Sequence, residues 1–306
     1  MFWIQLQCGL TPRVITTDAG SGQPSINFRD PEELLFEAIT NGNLSRVKQL
    51  MSSGINSNTI LHNSKRWEGA SILGTAAYEG HLNIIRYLLE MKVSINFRDP
   101  CLGRTALHWA CMGKKLDAVR YLIKFGADVN LADRDNVTPI LTATMNKLCD
   151  ICKVLIDNGA NVDQVDRLNS SPLHFACNHG DTKLICEIIK GGCVRNNLDI
   201  IGRGTPLANL AMNNDFENCY ILMEAGYRLG NEKWVHSNQL ESNKATHLVS
   251  YRMKNPPSLK SACRMTIRRR LGGHYLSRKI KTLNFPASLK SYLLLETLWC
   301  PSIDNF

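Results

Sequence analysis

Between about residue 69 and residue 230, apolar positions fall in clusters at helical spacing, separated by short polar turns. Four clusters are clear: Ile84, Ile85, Leu88 and Leu89; Val119, Leu122 and Ile123; Val154, Leu155 and Ile156; and Leu184, Ile185, Ile188 and Ile189. Each predicts an amphipathic helix that buries one face. A shorter helix-forming stretch precedes each cluster and opens on Ser or Thr. These openings are Ser71-Ile72-Leu73-Gly74, Thr105-Ala106-Leu107-His108, Thr138-Pro139-Ile140-Leu141, Ser171-Pro172-Leu173-His174 and Thr205-Pro206-Leu207-Ala208, at offsets of 34, 33, 33 and 34. The chain is therefore predicted to be a series of helix pairs.

The residue types inside each unit have physical reasons. Ser or Thr caps a helix, and Pro fixes the backbone at its first position. A small residue follows the fourth position by two, at Ala76, Ala110, Ala143 and Ala176, with Leu210 as the exception. It lets paired helices approach closely. Gly80, Gly113 and Gly180 are read as left-handed helix ends. Gly126-Ala127-Asp128-Val129-Asn130 and Gly159-Ala160-Asn161-Val162-Asp163 are turns, with Asp99, Asp133, Asp166 and Asp199 recurring at equivalent positions. His108 and His174 are read as turn braces rather than metal ligands. The period and the Thr-Pro-Leu-His-x-Ala pattern resemble the ankyrin repeat. No such unit buries its apolar face alone, so a stacked array is expected.

Five units are plain. A sixth precedes them: Leu35-Phe36-Glu37-Ala38 through Gly54 fits the template at an offset of 38, with an insertion around His62 to Trp67. Its polar outer face (Glu32, Glu33, Glu37, Asn41, Asn43) suits a terminal cap. A seven-residue segment, Ser25 to Pro31, repeats identically at Ser94 to Pro100.

The pattern changes after Asn255. Pro256-Pro257 breaks what precedes it, and Ser258 is a helix cap. Leu259, Cys263, Ile267 and Leu271 then recur at steps of four, within a stripe about 120° wide. Gly272-Gly273 ends that helix. A second stretch holds Leu276, Ile280 and Leu283; after Pro286 a third holds Leu289, Tyr292 and Leu293. The run Ser258-Leu259-Lys260-Ser261-Ala262-Cys263-Arg264-Met265-Thr266-Ile267 resembles the Elongin-binding half of a SOCS box. Ile280-x-x-Leu283-x-Phe285-Pro286-x-x-Leu289-x-x-Tyr292-Leu293 resembles its cullin-contact half. Repeats followed by this box resemble the ankyrin-repeat and SOCS-box family.

That resemblance implies an all-α fold: an ankyrin-repeat solenoid of about six units, then a three-helix SOCS box. The divisions expected are an N-terminal extension (1–30), repeats (31–230), a linker or capping helix (231–254), the box (255–295) and a tail (296–306). It implies a non-catalytic substrate-recognition subunit of a ubiquitin ligase. Leu259, Cys263, Ile267 and Leu271 would contact Elongin C, which brings Elongin B. Ile280, Leu283, Phe285, Pro286, Leu289, Tyr292 and Leu293 would face a cullin, Cullin-5 in the first place, with its RING protein. The family segment often reads Leu-Pro-x-Pro; here Leu283-Asn284-Phe285-Pro286 lacks the first Pro, which leaves the cullin preference open. An unidentified target protein would meet the turn tips and inner helices, with Arg66, Trp67, Phe97, Arg98, Arg104, Trp109, Arg134 and Arg167 as candidates.

Charge adds a rival reading. Residues 1–250 carry 25 basic and 25 acidic residues, whereas residues 251–306 carry 11 basic and 2 acidic. Arg268-Arg269-Arg270 with their neighbours could bind nucleic acid. A basic stripe opposite an apolar one is more often a solvated face, and no aromatic interleaving supports the stronger claim. A plain scaffold whose last helices only close the array is the other alternative. Eleven cysteines in no fixed framework point to free thiols in a reducing compartment, the cytosol, the nucleus or both. Cys149-x-x-Cys152 has no second pair at metal spacing, and no phosphate loop or catalytic triad stands out. No enzyme activity, cofactor or metal is assigned. No membrane span or signal peptide is expected either, since no apolar run reaches about 18 residues and no basic residue precedes Arg13.

Overall fold

A computed structural model of the chain describes residues 31–55, 69–193, 204–227, 229, 232, 234, 243–255, 257–272 and 275–296. Six helix pairs follow one another: α1 (Pro31–Thr40) with α2 (Leu44–Ser52), α3 (Ile72–Glu79) with α4 (Leu82–Glu90), α5 (Ala106–Met112) with α6 (Leu116–Lys124), α7 (Pro139–Met145) with α8 (Cys149–Asp157), α9 (Pro172–His179) with α10 (Thr182–Lys190), and α11 (Pro206–Met212) with α12 (Phe216–Ala225). Then come α13 (Lys244–Lys254), α14 (Leu259–Leu271), α15 (Leu276–Thr282) and α16 (Ala287–Leu293). Arg66, Trp67, Asp199, the insertion at 62–67 and the Ser25–Asp30 copy lie outside the described residues.

The odd-numbered helices α1 to α11 stack into an inner layer, each on the next, and α2 to α12 into an outer layer. One core runs between the layers, from Leu35 and Ile39 through Ile84, Leu122, Leu155 and Ile185 to Leu222 and Val249. Small Ala76, Ala110, Ala143 and Ala176 are fully covered where the layers meet. Helix α13 continues the inner layer against α11 and α12, and α14 packs on α12 as the next outer helix would. The box thus joins the array through α14 on α12, with α13 closing the inner layer before it.

The recurrent aspartates build the turns. Asp99 Oδ1 accepts from the N–H groups of Leu102 (2.7 Å) and Gly103 (3.0 Å). Asp133 Oδ1 accepts from Asp135 and Val137, both at 2.9 Å, and Asp166 Oδ1 from Leu168 and Ser170, both at 2.8 Å. Buried His108 ties one unit to the next. Thr105 N–H donates to its Nδ1 at 3.1 Å, so Nε2 carries the proton and donates to the Val137 carbonyl at 3.0 Å.

Burial holds the His108 pKa down to about 4, against 6.5 for an ordinary imidazole, with the charges of Arg104 and Arg98 acting the same way. A lowered folded-state pKa means that the unfolded chain binds the proton first. The stability due to neutral His108 is therefore complete above pH 6.5 and is lost as pH falls towards 4, by about 3 kcal/mol. Urea unfolding of wild type and His108→Gln between pH 7 and 4.5 measures this. The variant should lose less stability than the wild type over that range; equal losses would contradict the assignment.

The structure corrects one glycine. Gly80 and Gly180 are left-handed, but Gly113 has φ −73° and Lys114 takes the left-handed position after α5. Gly113 is needed for another reason: a methyl there would collide with the Tyr78 backbone carbonyl of the preceding unit. Gly113→Ala should cost about 2–3 kcal/mol through overpacking. Gly180→Ala, where a methyl has room, should cost about 1–2 kcal/mol from the left-handed backbone alone. Denaturant midpoints of the two variants test the order.

Candidate functional site

Helix α14 has three faces. Ser258 caps it, accepting from Ser261 N–H at 3.3 Å. Leu259 is 82% exposed and Cys263, one turn on, is also exposed. Ile267 and Leu271 turn inward and pack on the box core of Leu276, Ile280, Leu293 and Leu294. The apolar stripe therefore begins on the surface and winds into the box.

The third face departs in part from the expectation of a solvated basic side: Lys260, Arg269 and Arg270 are exposed, but two arginines are not. Arg264 is 1% exposed and Arg268 5%. With Ser261 they lie within about 60° of one another around the helix, against the last two repeats. Glu224, at the end of α12, receives Arg252 and Arg264 on its two carboxylate oxygens and the Ser261 hydroxyl at 2.7 Å. Arg268 donates to the carbonyls of Leu293 (2.6 Å) and Ile189 (2.8 Å), joining the box to the end of α10. Burial, and then the neighbouring Arg264 charge, pull the Arg268 pKa down to about 10. A buried arginine needs such partners because its unpaired charge cannot be desolvated cheaply. In the sequence Glu224 is only an acid following the apolar run Ile221-Leu222-Met223; its burial appears in the fold.

The rest of the box is built around this seat. Lys279 Nζ donates to the Leu271 and Gly272 carbonyls, both at 3.1 Å, and caps α14. Tyr292 is half-buried, its ring under Arg264 (4.6 Å) and Lys260 (4.8 Å). Phe285 and Pro286 are exposed, and Leu283 and Leu289 half-buried. Ile280 and Leu293 are wholly covered. Their side chains hold the box together, which corrects their placement on a cullin-facing surface.

The inner-face candidates also divide. Trp109 is not an exposed anchor. It is 5% exposed, packed with Ala70, Tyr78 and Met112, and donates Nε1–H to Asp99 at 3.1 Å. Arg104 lies 5.6 Å over its ring and 3.5 Å from Asp133. Phe97 is half-buried. Arg98 is exposed and donates to the Gly103 and Ala132 carbonyls. Arg134 is exposed, and Arg167 pairs with Asp135 at 3.0 Å. Cys149 and Cys152 open α8, and burial pushes both thiols up, away from the reactive thiolate. Among the described residues no helix is long and apolar enough to cross a membrane.

Comparison with known proteins matches two families. Ankyrin repeats match over residues 17–99, 35–133, 73–166 and 140–233. The SOCS box matches over 255–294. Human Ankyrin repeat and SOCS box protein 16 is 27% identical over 154 residues, 45% of this chain and 32% of that protein. Mouse Protein phosphatase 1 regulatory subunit 27 is 32% identical over 114 residues, 37% of this chain and 71% of that protein. Palmitoyltransferase AKR1 of Lachancea kluyveri is 32% identical over 96 residues, 31% of this chain and 13% of that protein. The chain thus spans less than two thirds of the length of the Lachancea protein and of the human one.

Proposed function

Since the chain belongs to the ankyrin-repeat and SOCS-box family, we propose that it is the substrate receptor of an Elongin B/C–cullin–RING ubiquitin ligase. Its repeats hold a target protein, and its box docks on Elongin C. Neither module is catalytic; the chain contributes proximity, holding the target where a ubiquitin-loaded enzyme reaches it. The observation that carries this reading is the division of labour on α14. Ser261, Arg264 and Arg268 seat the helix on the array, while Leu259 and Cys263 are left uncovered. An apolar side chain held in the open on a seated helix suits insertion into a partner's pocket.

Capture of purified Elongin B/C by the full chain tests it, with stoichiometric complex expected. Cullin recruitment is a separate step. Phe285 and Pro286 are the exposed apolar members of the second half of the box. Phe285→Ala should weaken binding of Cullin-5 to the assembled Elongin complex by about tenfold, from lost apolar burial, and leave Elongin capture unchanged. Titration of the assembled Elongin complex with Cullin-5 and with another cullin tests the preference that Asn284 leaves open.

The scaffold reading draws on α13 and α14 extending the two layers, and it makes no use of an exposed Leu259. The nucleic-acid reading loses two of its arginines to Glu224 and backbone carbonyls.

A further inference from the structure

Seven residues after the capping Ser or Thr of each unit stand Tyr78, Met112, Met145, Asn178 and Met212. These positions share the last turn of the inner helices α3, α5, α7 and α11, and the matching turn of α9. Met145 is 45% exposed and Met212 54%; Met112 is half-buried. Met112 Sδ lies 3.3 Å from Arg104 Nη1, at the start of its own unit. A methyl built on Gly204, the equivalent position in the last unit, would come 3.9 Å from Met212 Cε. The Met112 and Met212 thioethers therefore fold back along their inner helices towards the turns, and Met145 between them is exposed.

Two residues beyond Met112 and Met145 stand Lys114 and Lys147. Both are exposed and left-handed, with φ 58° each. Other units place Gly42, Gly80 and Gly180 there, the residue that adopts this backbone without steric cost, and the last unit places Asn214. Lys92 fills a different left-handed position, after α4, so lysine in such a turn is not by itself a mark of function. What distinguishes Lys114 and Lys147 is that they are consecutive in the stack and each flanks a methionine. On the turn side of the same two units stands exposed Arg134. The acids there are already engaged: Asp133 with Arg104 and turn N–H groups, and Asp135 with Arg167. Asp117 and Asp150 lie in the first turns of the outer helices.

We infer that α5 and α7 form a target-docking trough, with a thioether floor at Met112 and Met145 and cationic rims at Lys114, Lys147 and Arg134. Its occupant is a protein segment that combines apolar side chains with Asp or Glu. Methionine is polarisable and unbranched, so the floor adapts to varied apolar groups. Cations on both rims favour an acidic segment and reject a basic one. This rests on the receptor reading and names the chemistry of its target. The Elongin assay reads α14 alone, so the two readings fail separately.

The test is selection of a random linear peptide library against the full chain, followed by affinity measurement of the enriched peptides. Enriched peptides should mix acidic with apolar residues. Their affinity should fall about tenfold with Lys114→Gly plus Lys147→Gly, and as far with Met112→Ser plus Met145→Ser. The glycine variant keeps the fold under test, because glycine relieves the left-handed strain: its melting midpoint should equal or exceed that of the wild type while binding drops. Enriched peptides without acidic residues would overturn the proposal, as would affinities indifferent to both double variants. Selection of no peptide, with single-stranded oligonucleotide binding lost in the lysine variant, would overturn it too and favour a nucleic-acid surface.

Discussion

Leu259→Ala combined with Cys263→Ser should abolish stoichiometric capture of Elongin B/C and leave the melting of the chain unchanged. The two halves of that expectation have one cause. Leu259 is 82% exposed and Cys263 is exposed, so truncating them removes almost nothing from the chain's own core, within about 0.5 kcal/mol. In a complex the same leucine would enter an apolar pocket, worth about 1.5–3 kcal/mol for full burial. Adding the cysteine brings the loss to about 3–4 kcal/mol, or a hundredfold or more in affinity. Titration calorimetry with purified Elongin B/C, beside thermal unfolding of both chains, reads the two numbers. Undiminished capture by a folded variant would move the Elongin contact away from Leu259 and Cys263; no capture by the folded wild type would remove the ligase-receptor reading and leave a scaffold closed by its last helices.

Glu224→Ala has the second large effect, and here stability moves first. Glu224 is the carboxylate that Arg252, Arg264 and Ser261 share. Its removal leaves Arg264 buried without a counter-charge and close enough to Arg268 to depress that group. Breaking a buried pair in this way costs about 3–5 kcal/mol. The loss falls on the seat between box and array, so amide exchange should rise in α14 to α16 while the units up to α10 keep their protection. Replacing both partners, Glu224→Leu with Arg264→Met, should restore most of the protection, because the fully buried charge is then gone and the remaining Arg252, 21% exposed, reaches water. Wild-type exchange in Glu224→Ala would show that the seat rests on apolar packing alone. Failure of the double variant to recover would point to Ser261 and Arg252 as the partners that matter.

The repeats were legible because their signal is local and periodic. Offsets of 33 and 34, caps at Ser71, Ser171 and Thr205, and apolar residues at helical spacing each bear on a few neighbouring residues. The turn aspartates and the bracing role of His108 were visible for the same reason, since most of their partners lie within a few residues. Trp109 was misread because its cover, Tyr78 and Ala70, comes from the unit before. Gly113 was misread because Tyr78 again, 35 residues away in sequence, fixes what fits there.

By itself the sequence determined the all-α repeat architecture, the position of the box and the apolar stripe Leu259-Cys263-Ile267-Leu271. Which side of α14 is covered was decided only in the tertiary structure. Amphipathicity predicts an apolar face inside and a basic face in water. Here two arginines go inside and two apolar residues stay out, because Glu224, 40 residues before Arg264, supplies a buried counter-charge to Arg264, and the Leu293 and Ile189 carbonyls receive Arg268. Burial of a charge depends on the partner it meets across the fold, and helical periodicity carries no information about that partner.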